Sequence, residues 1–235
     1  MTPSEESVTD FVARVRVVLV AVADPSRAAD MSAYMKAIAP FLGVAAPARR
    51  SAMKGIVFPD VRDRDGVERV CRALFAAPER EFAYVAVDWF ERLTRKGSAD
   101  LLPVCLTLAQ TKSWWDTVDG LAKCAGNLAR THVEVGDAME QWVQHPNFWV
   151  ARMAILHQLG GVYDEQRLFR LSLARAHEPE FFIRKAIGWA LRDHAWRHPD
   201  SVEAFLALHR GTLSSLTIRE AAKNLEKARA RNLVR

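Results

Sequence analysis

Trp115 and Asp119 stand four residues apart in the run Ser113-Trp114-Trp115-Asp116-Thr117-Val118-Asp119. On a helix that spacing puts both side chains on one face. A tryptophan ring presents the negative face of its π system and an aspartate presents a full negative charge, so the pair suits a cation. Taken singly, each residue has an ordinary alternative: core packing for Trp115, a surface carboxylate or a helix cap for Asp119. Arg152 lies in the otherwise apolar stretch from Val150 to Ile155, where a guanidinium needs a partner such as Asp116 or another carboxylate. Trp189 follows Gly188. A glycine inside a helix costs about 0.5–1 kcal/mol relative to alanine and usually marks the close approach of another group. By itself that pattern reads as tight helix packing with Trp189 in the core.

The elements that must position these residues are helices. Apolar residues recur at helical spacing, as in Val8, Phe11, Val12, Val15 and Leu19, and strand signals are nearly absent. Turn residues at short intervals, among them Asp24-Pro25, Pro59-Asp60, Gly160-Gly161 and Gly211, divide the chain. The pattern predicts helices over 4–23, 25–38, 47–57, 64–76, 79–96, 99–110, 114–131, 134–144, 147–159, 164–176, 180–197, 200–209 and 215–230. Asp24 is expected to cap a helix with Pro25 at its first position, and Ser113 to cap the helix that follows it. Pairs of bulky residues open long helices at Trp114-Trp115, Phe148-Trp149 and Phe181-Phe182, with offsets of 34 and 33 residues. An earlier copy starts at Glu81-Phe82 and a degraded later one runs through Ile218-Arg219-Glu220-Ala221. Antiparallel helix pairs repeating at this period stack into an α-solenoid. The expected fold is therefore all-α: a single domain over 1–235 in which the second helix of each pair lines a concave face.

The charge balance points to an anionic partner, nucleic acid first. The 235 residues carry 33 Lys and Arg against 28 Asp and Glu, a formal net charge of +5. Met31 to Gly55 holds four basic residues, Lys36, Arg49, Arg50 and Lys54, and no acidic one. His209 to Arg235 holds seven Lys and Arg against two acidic residues. The stretch Met1–Asp10 lacks the basic region of a secretory signal, and Arg14 and Arg16 interrupt the apolar run after it. No run approaches the length of a membrane span. Cys71, Cys105 and Cys124 are odd in number, far apart and in apolar settings, as free thiols of a reducing compartment are. These features predict a cytoplasmic protein. There is no Gly-x-Gly-x-x-Gly, no phosphate-binding P-loop and no Cys/His grouping at metal spacing, so neither a cofactor nor a metal is expected.

Four segments belong together: the run ending at Asp119; Asn147-Phe148-Trp149-Val150-Ala151-Arg152-Met153-Ala154-Ile155-Leu156; Phe181-Phe182-Ile183-Arg184-Lys185-Ala186-Ile187-Gly188-Trp189; and Leu216-Thr217-Ile218-Arg219-Glu220-Ala221. With the N-terminal motifs Tyr34-Met35-Lys36, Phe41-Leu42-Gly43-Val44 and Pro47-Ala48-Arg49-Arg50, they occur in an order that resembles the AlkD-type DNA alkylation repair glycosylases, whose fold is built of HEAT-like repeats. The resemblance runs from about Met31 to Asn224. It implies that Asp119 is the catalytic carboxylate, that Trp115 contacts the lesion nucleotide and that Trp189 forms a second aromatic wall. It implies a phosphate contact for Arg152, and places Lys185 and Arg219 of the same motifs with Lys36, Arg49 and Arg50 on DNA. Tyr34 either joins them or packs against the helix over 47–57.

The chemistry so implied is hydrolysis of the N-glycosidic bond of cationic alkylated purines, 7-methylguanine and 3-methyladenine, in duplex DNA. The alkylated base already carries a positive charge and leaves as a neutral molecule. The sugar turns oxocarbenium-like, and a carboxylate nearby stabilises it or orients the attacking water. The product is an abasic site, the enzyme a monofunctional monomer. A helix-hairpin-helix glycosylase signature with its catalytic lysine is missing. The competing expectation is a HEAT-like module that binds DNA or scaffolds proteins without catalysis.

Overall fold

Apolar stripes spaced as above leave one face of each helix in need of cover, and stacking helices provide it. The computed structural model describes residues 5–161 and 164–233, and all its regular structure is helical. The helices are α1 (Glu5–Val20), α2 (Pro25–Tyr34), α3 (Ala46–Ala52), α4 (Arg64–Ala76), α5 (Arg80–Thr94), α6 (Leu102–Ala109), α7 (Trp115–Ala129), α8 (Val133–Trp142), α9 (Phe148–Leu156), α10 (Glu165–Ala174), α11 (Phe181–Ala195), α12 (Pro199–Leu208), α13 (Ser215–Ala222) and α14 (Leu225–Leu233). The expected start at position 4 lies outside the described residues, as does Arg235 of the basic tail. No helix among the described residues is long and apolar enough to cross a membrane.

Packing separates two compact units, one ending at Leu93 and the other beginning at Thr94. In the first, α1 packs on α3 and α4, and Phe11, Val15 and Leu19 are fully buried. Asp24 caps α2 as expected, accepting from the backbone N–H groups of Ser26 and Arg27 behind Pro25. That helix stops at Tyr34, short of the expected 38, because Lys36 and Ala37 adopt left-handed backbone conformations with φ of 60° and 54°. The Phe41-Leu42-Gly43-Val44 motif has a structural cause. The buried carboxylate of Glu81 accepts from the N–H groups of Leu42, Gly43 and Val44. Gly43, at φ 81°, passes so close to Asp24 that a Cβ would fall 2.0 Å from its carbonyl oxygen.

In the second unit each helix packs on its neighbour in sequence, α7 on α8, α8 on α9, α9 on α10 and α10 on α11. A second set of contacts joins α7 to α9, α9 to α11 and α11 to α13. This alternation of pairing and stacking is that of an α-solenoid. Helices α7, α9 and α11 begin at Trp115, Phe148 and Phe181, 33 residues apart each time, and α13 begins 34 residues later at Ser215. The period fits helices of two turns or more joined by short loops. The last expected helix, 215–230, is in fact two. The chain turns at Lys223-Asn224, and the Asn224 carbonyl accepts the Ala228 N–H at the start of α14.

Close stacking relies on glycine at two places. A Cβ at Gly126 on α7 would lie 2.1 Å from the His157 carbonyl oxygen just after α9. One at Gly188 on α11 would lie 2.5 Å from the Glu220 Cβ and 2.9 Å from the Thr217 carbonyl oxygen of α13. Gly126→Ala should gain about 1 kcal/mol in helix propensity but lose more to overpacking against rigid backbone, for a net destabilisation of about 1–3 kcal/mol in urea unfolding. A stabilised variant would contradict the close approach.

Candidate active site

Helix α7 starts abruptly. Trp114 is extended, with φ −157° and ψ 161°, and contributes no side-chain cap. Ser113 does not cap the helix as expected; its hydroxyl instead donates back to the Ala109 carbonyl at 2.7 Å, closing off α6. The first turn of α7 is held by Asp116, whose carboxylate accepts the Thr117 N–H at 2.9 Å, and by the Thr117 hydroxyl on the Trp114 carbonyl at 3.3 Å. This places Asp119 one turn beyond the half-buried Trp115.

Asp119 meets Arg152 of α9. The guanidinium donates through Nε to one carboxylate oxygen at 2.8 Å and through Nη2 to the other at 2.9 Å. Its Nη1 donates to the Phe182 carbonyl of α11 at 2.6 Å. One arginine thus ties three stacked helices together. Its side chain is 5% exposed and that of Asp119 17% exposed, so the carboxylate is the outer member of the pair. Burial pushes the Asp119 carboxyl above its ordinary value. Arg152 pulls it down through hydrogen bonding and charge without reversing the shift, and the charge of Asp116 adds to the rise.

An aromatic wall supports the pair. Trp114, Trp149 and Phe182 pack mutually with ring centroids 4.9–5.6 Å apart, and Phe148 extends the cluster to Trp149 at 4.7 Å. The indole N–H of Trp114 is buried without a hydrogen-bond partner. Trp189, seven residues and so two turns beyond Phe182, is 38% exposed. Among the described residues no three His, Cys, Asp or Glu side chains gather into a group able to hold a metal.

The sequence profile of the DNA alkylation repair enzyme family matches residues 15–225. The chain belongs to that family. A solved structure described as a predicted DNA alkylation repair enzyme from Enterococcus faecalis is similar to it, with 30% identity, a TM-score of 0.76, and coverage of 86% of this chain and 95% of that one. No curated protein sequence matches the chain. Membership of the DNA alkylation repair family makes DNA the partner and its repair the role.

The remaining residues expected at a DNA alkylation repair site divide between the two units. Lys185 on α11 pairs with Glu220 of α13 at 3.1 Å. Arg219 is exposed on α13. In the first unit Tyr34 is 72% exposed and Lys36 is exposed on its left-handed turn. Arg50 is exposed, 3.6 Å from Asp88. Two of the expected residues are held in buried ion pairs. Arg49 is buried against Asp88 at 3.0 Å and above the Tyr84 ring. Arg152, expected on a phosphate, is buried on Asp119, with all three nitrogens of its fork in use. An ion pair with a carboxylate was the other reading of its sequence setting. A signal for the partner was present: Asp119, Arg152 and Lys185 are each the fifth residue of a helix in the 33-residue register.

Because the folded Asp119 carboxyl lies above its unfolded value, the folded state binds its proton the more readily. The contribution of this titration to stability is full below the unfolded value of about 3.9 and is lost as pH rises through the folded value. Urea unfolding of wild type and Asp119→Asn across this range should therefore show wild type losing ground as pH rises. Wild type gaining ground would mean that Arg152 outweighs burial. Arg152→Ala should cost about 3–5 kcal/mol, since it strands a buried charge.

Proposed function

We propose that the protein is a monofunctional DNA glycosylase that hydrolyses the N-glycosidic bond of cationic alkylated purines in duplex DNA and leaves an abasic site. The observation that carries this reading is the Asp119–Arg152 pair: a part-exposed carboxylate locked by two hydrogen bonds, one helical turn from Trp115, in a chain of the DNA alkylation repair family. A free carboxylate would reorient as charge develops at the sugar. One held by Arg152 is already in place, which is the condition under which electrostatic stabilisation of an oxocarbenium-like transition state is most effective.

The residues divide the work. Asp119 stabilises the positive charge growing on the deoxyribose and orients or deprotonates the attacking water. Trp115 and Trp189 offer aromatic faces to the cationic nucleotide. Arg152 is a positioning residue: it acts on substrate only through Asp119. Exposed Tyr34, Lys36, Arg50 and Arg219 are available for backbone phosphates. The leaving base needs no acid because its positive charge already activates it. So 7-methylguanine and 3-methyladenine should be released, and uracil should not.

The test is single-turnover excision from duplexes carrying one lesion each. Asp119→Asn should retain duplex binding and lose at least about 100-fold in rate, the scale of removing one preorganised electrostatic group. Undiminished excision by this variant would reject Asp119 as the catalytic group. Excision by the native enzyme should also fail on the acid side as Asp119 takes up its proton, at a pH above the ordinary aspartate range because burial raises that group.

A further inference from the structure

Lys185, Gly188, Trp189 and Arg192 lie at helical spacing along one side of α11, with Trp189 between the two cations. Helix α13 lies against this stripe. The Gly188 contact lets Glu220 sit directly on α11, and the Thr217 hydroxyl donates to the Arg184 carbonyl at 3.1 Å. The Glu220 side chain is 6% exposed. It is met by three cations: Arg192 at 3.0 Å and Lys185 at 3.1 Å on one oxygen, Lys223 at 2.5 Å on the other. Lys223 holds the Glu220 carboxyl far down, to about 2, against the effect of burial, with Lys185 adding to it.

Pinning α13 to α11 requires one cation on this carboxylate. Three leave a surplus of two positive charges, fixed in place, around a single buried acid. The surplus is accessible, because the side chains of Lys185, Arg192 and Lys223 keep 36%, 23% and 47% of their exposure. Long basic side chains ordinarily lose about 0.5–1.5 kcal/mol of freedom each when they settle on a ligand. Here Glu220 has ordered them beforehand.

We infer that Lys185, Arg192 and Lys223 form a preorganised seat for a DNA backbone phosphate beside Trp189, with Glu220 as the internal counter-charge that fixes their geometry. The inference rests on the reading of Trp189 as a wall of the lesion site, which puts the strand beside the stripe. The seat holds the strand through its phosphate and takes no part in bond cleavage. It is therefore blind to the lesion, and undamaged duplex is the proper probe.

The experiment is binding of an undamaged duplex to the full chain over a range of salt concentrations, with urea unfolding in parallel. Lys223 is the most exposed of the three and follows α13, so Lys223→Met should leave the fold intact. With the phosphate lost from the seat, the double variant Arg192→Gln with Lys223→Met should flatten the log–log salt slope by about 0.9. Lys223→Met alone should move it part of the way, and Lys223→Arg should restore it. An unchanged slope in the double variant, or loss of stability alone, would show the cluster to be a structural pin and overturn the proposal. So would failure of the native chain to bind duplex DNA. Because the readout is binding, the glycosylase reading can fail at Asp119→Asn while the seat stands, and the reverse.

Discussion

A guanidinium and a carboxylate removed from water each lose several kcal/mol of hydration, and only close, fully hydrogen-bonded pairing offsets that loss. The Arg152–Asp119 contact meets the condition, and the rest of the second unit is arranged around it. Arg152 has three donating nitrogens in use, two on Asp119 of α7 and one on the Phe182 carbonyl of α11. The spacing of α7, α9 and α11 is therefore set by polar contacts as well as by packing. The aromatic cluster of Trp114, Trp149 and Phe182 covers the same three helices with apolar area, and aromatic pairs contribute about 0.5–1.5 kcal/mol beyond their burial. Together they keep water from the arginine and leave the carboxylate, 17% exposed, as the outer member of the pair.

One position in the repeat carries much of the charge. The fifth residues of α7, α9, α11 and α13 are Asp119, Arg152, Lys185 and Arg219. A solenoid brings equivalent positions of successive helices side by side, so charges far apart in sequence become neighbours. Asp119 and Arg152 neutralise one another in the interior, whereas Lys185 turns to Glu220 and Arg219 to solvent. The charge along the row thus passes from acid to base. That order would serve the proposed glycosylase, which would place a carboxylate near a cationic sugar and cations near phosphates.

Tight stacking sets a second constraint. Gly126 and Gly188 allow the backbone of a following element to approach where any side chain would collide. At Gly188 the approach also delivers Glu220 to Lys185 and Arg192. A packing residue and an electrostatic cluster are here a single feature. Gly43 and Glu81 play a comparable part in the first unit, where the N–H groups of Leu42, Gly43 and Val44 converge on one buried carboxylate.

Much of this was legible in the residues. Apolar periodicity and turn residues were enough for an all-α chain, because a helix announces its buried face every three or four residues. The recurrence of bulky pairs exposed the stacking, because equivalent helices need equivalent anchors. Asp24-Pro25 announced a cap because capping is local. The errors arose where the deciding contact is distant. Ser113 looked like a cap, but the chain is extended at Trp114 and its hydroxyl turns back to Ala109. For Arg49 and Arg152 the sequence records a charge and not its burial. Only the tertiary structure sets Asp88 beside the one and Asp119 beside the other. Residue type and spacing determined which groups could do chemistry. Which of them face solvent and which are consumed in pairs was decided by packing across 33 residues of chain, where desolvation outweighs local propensity.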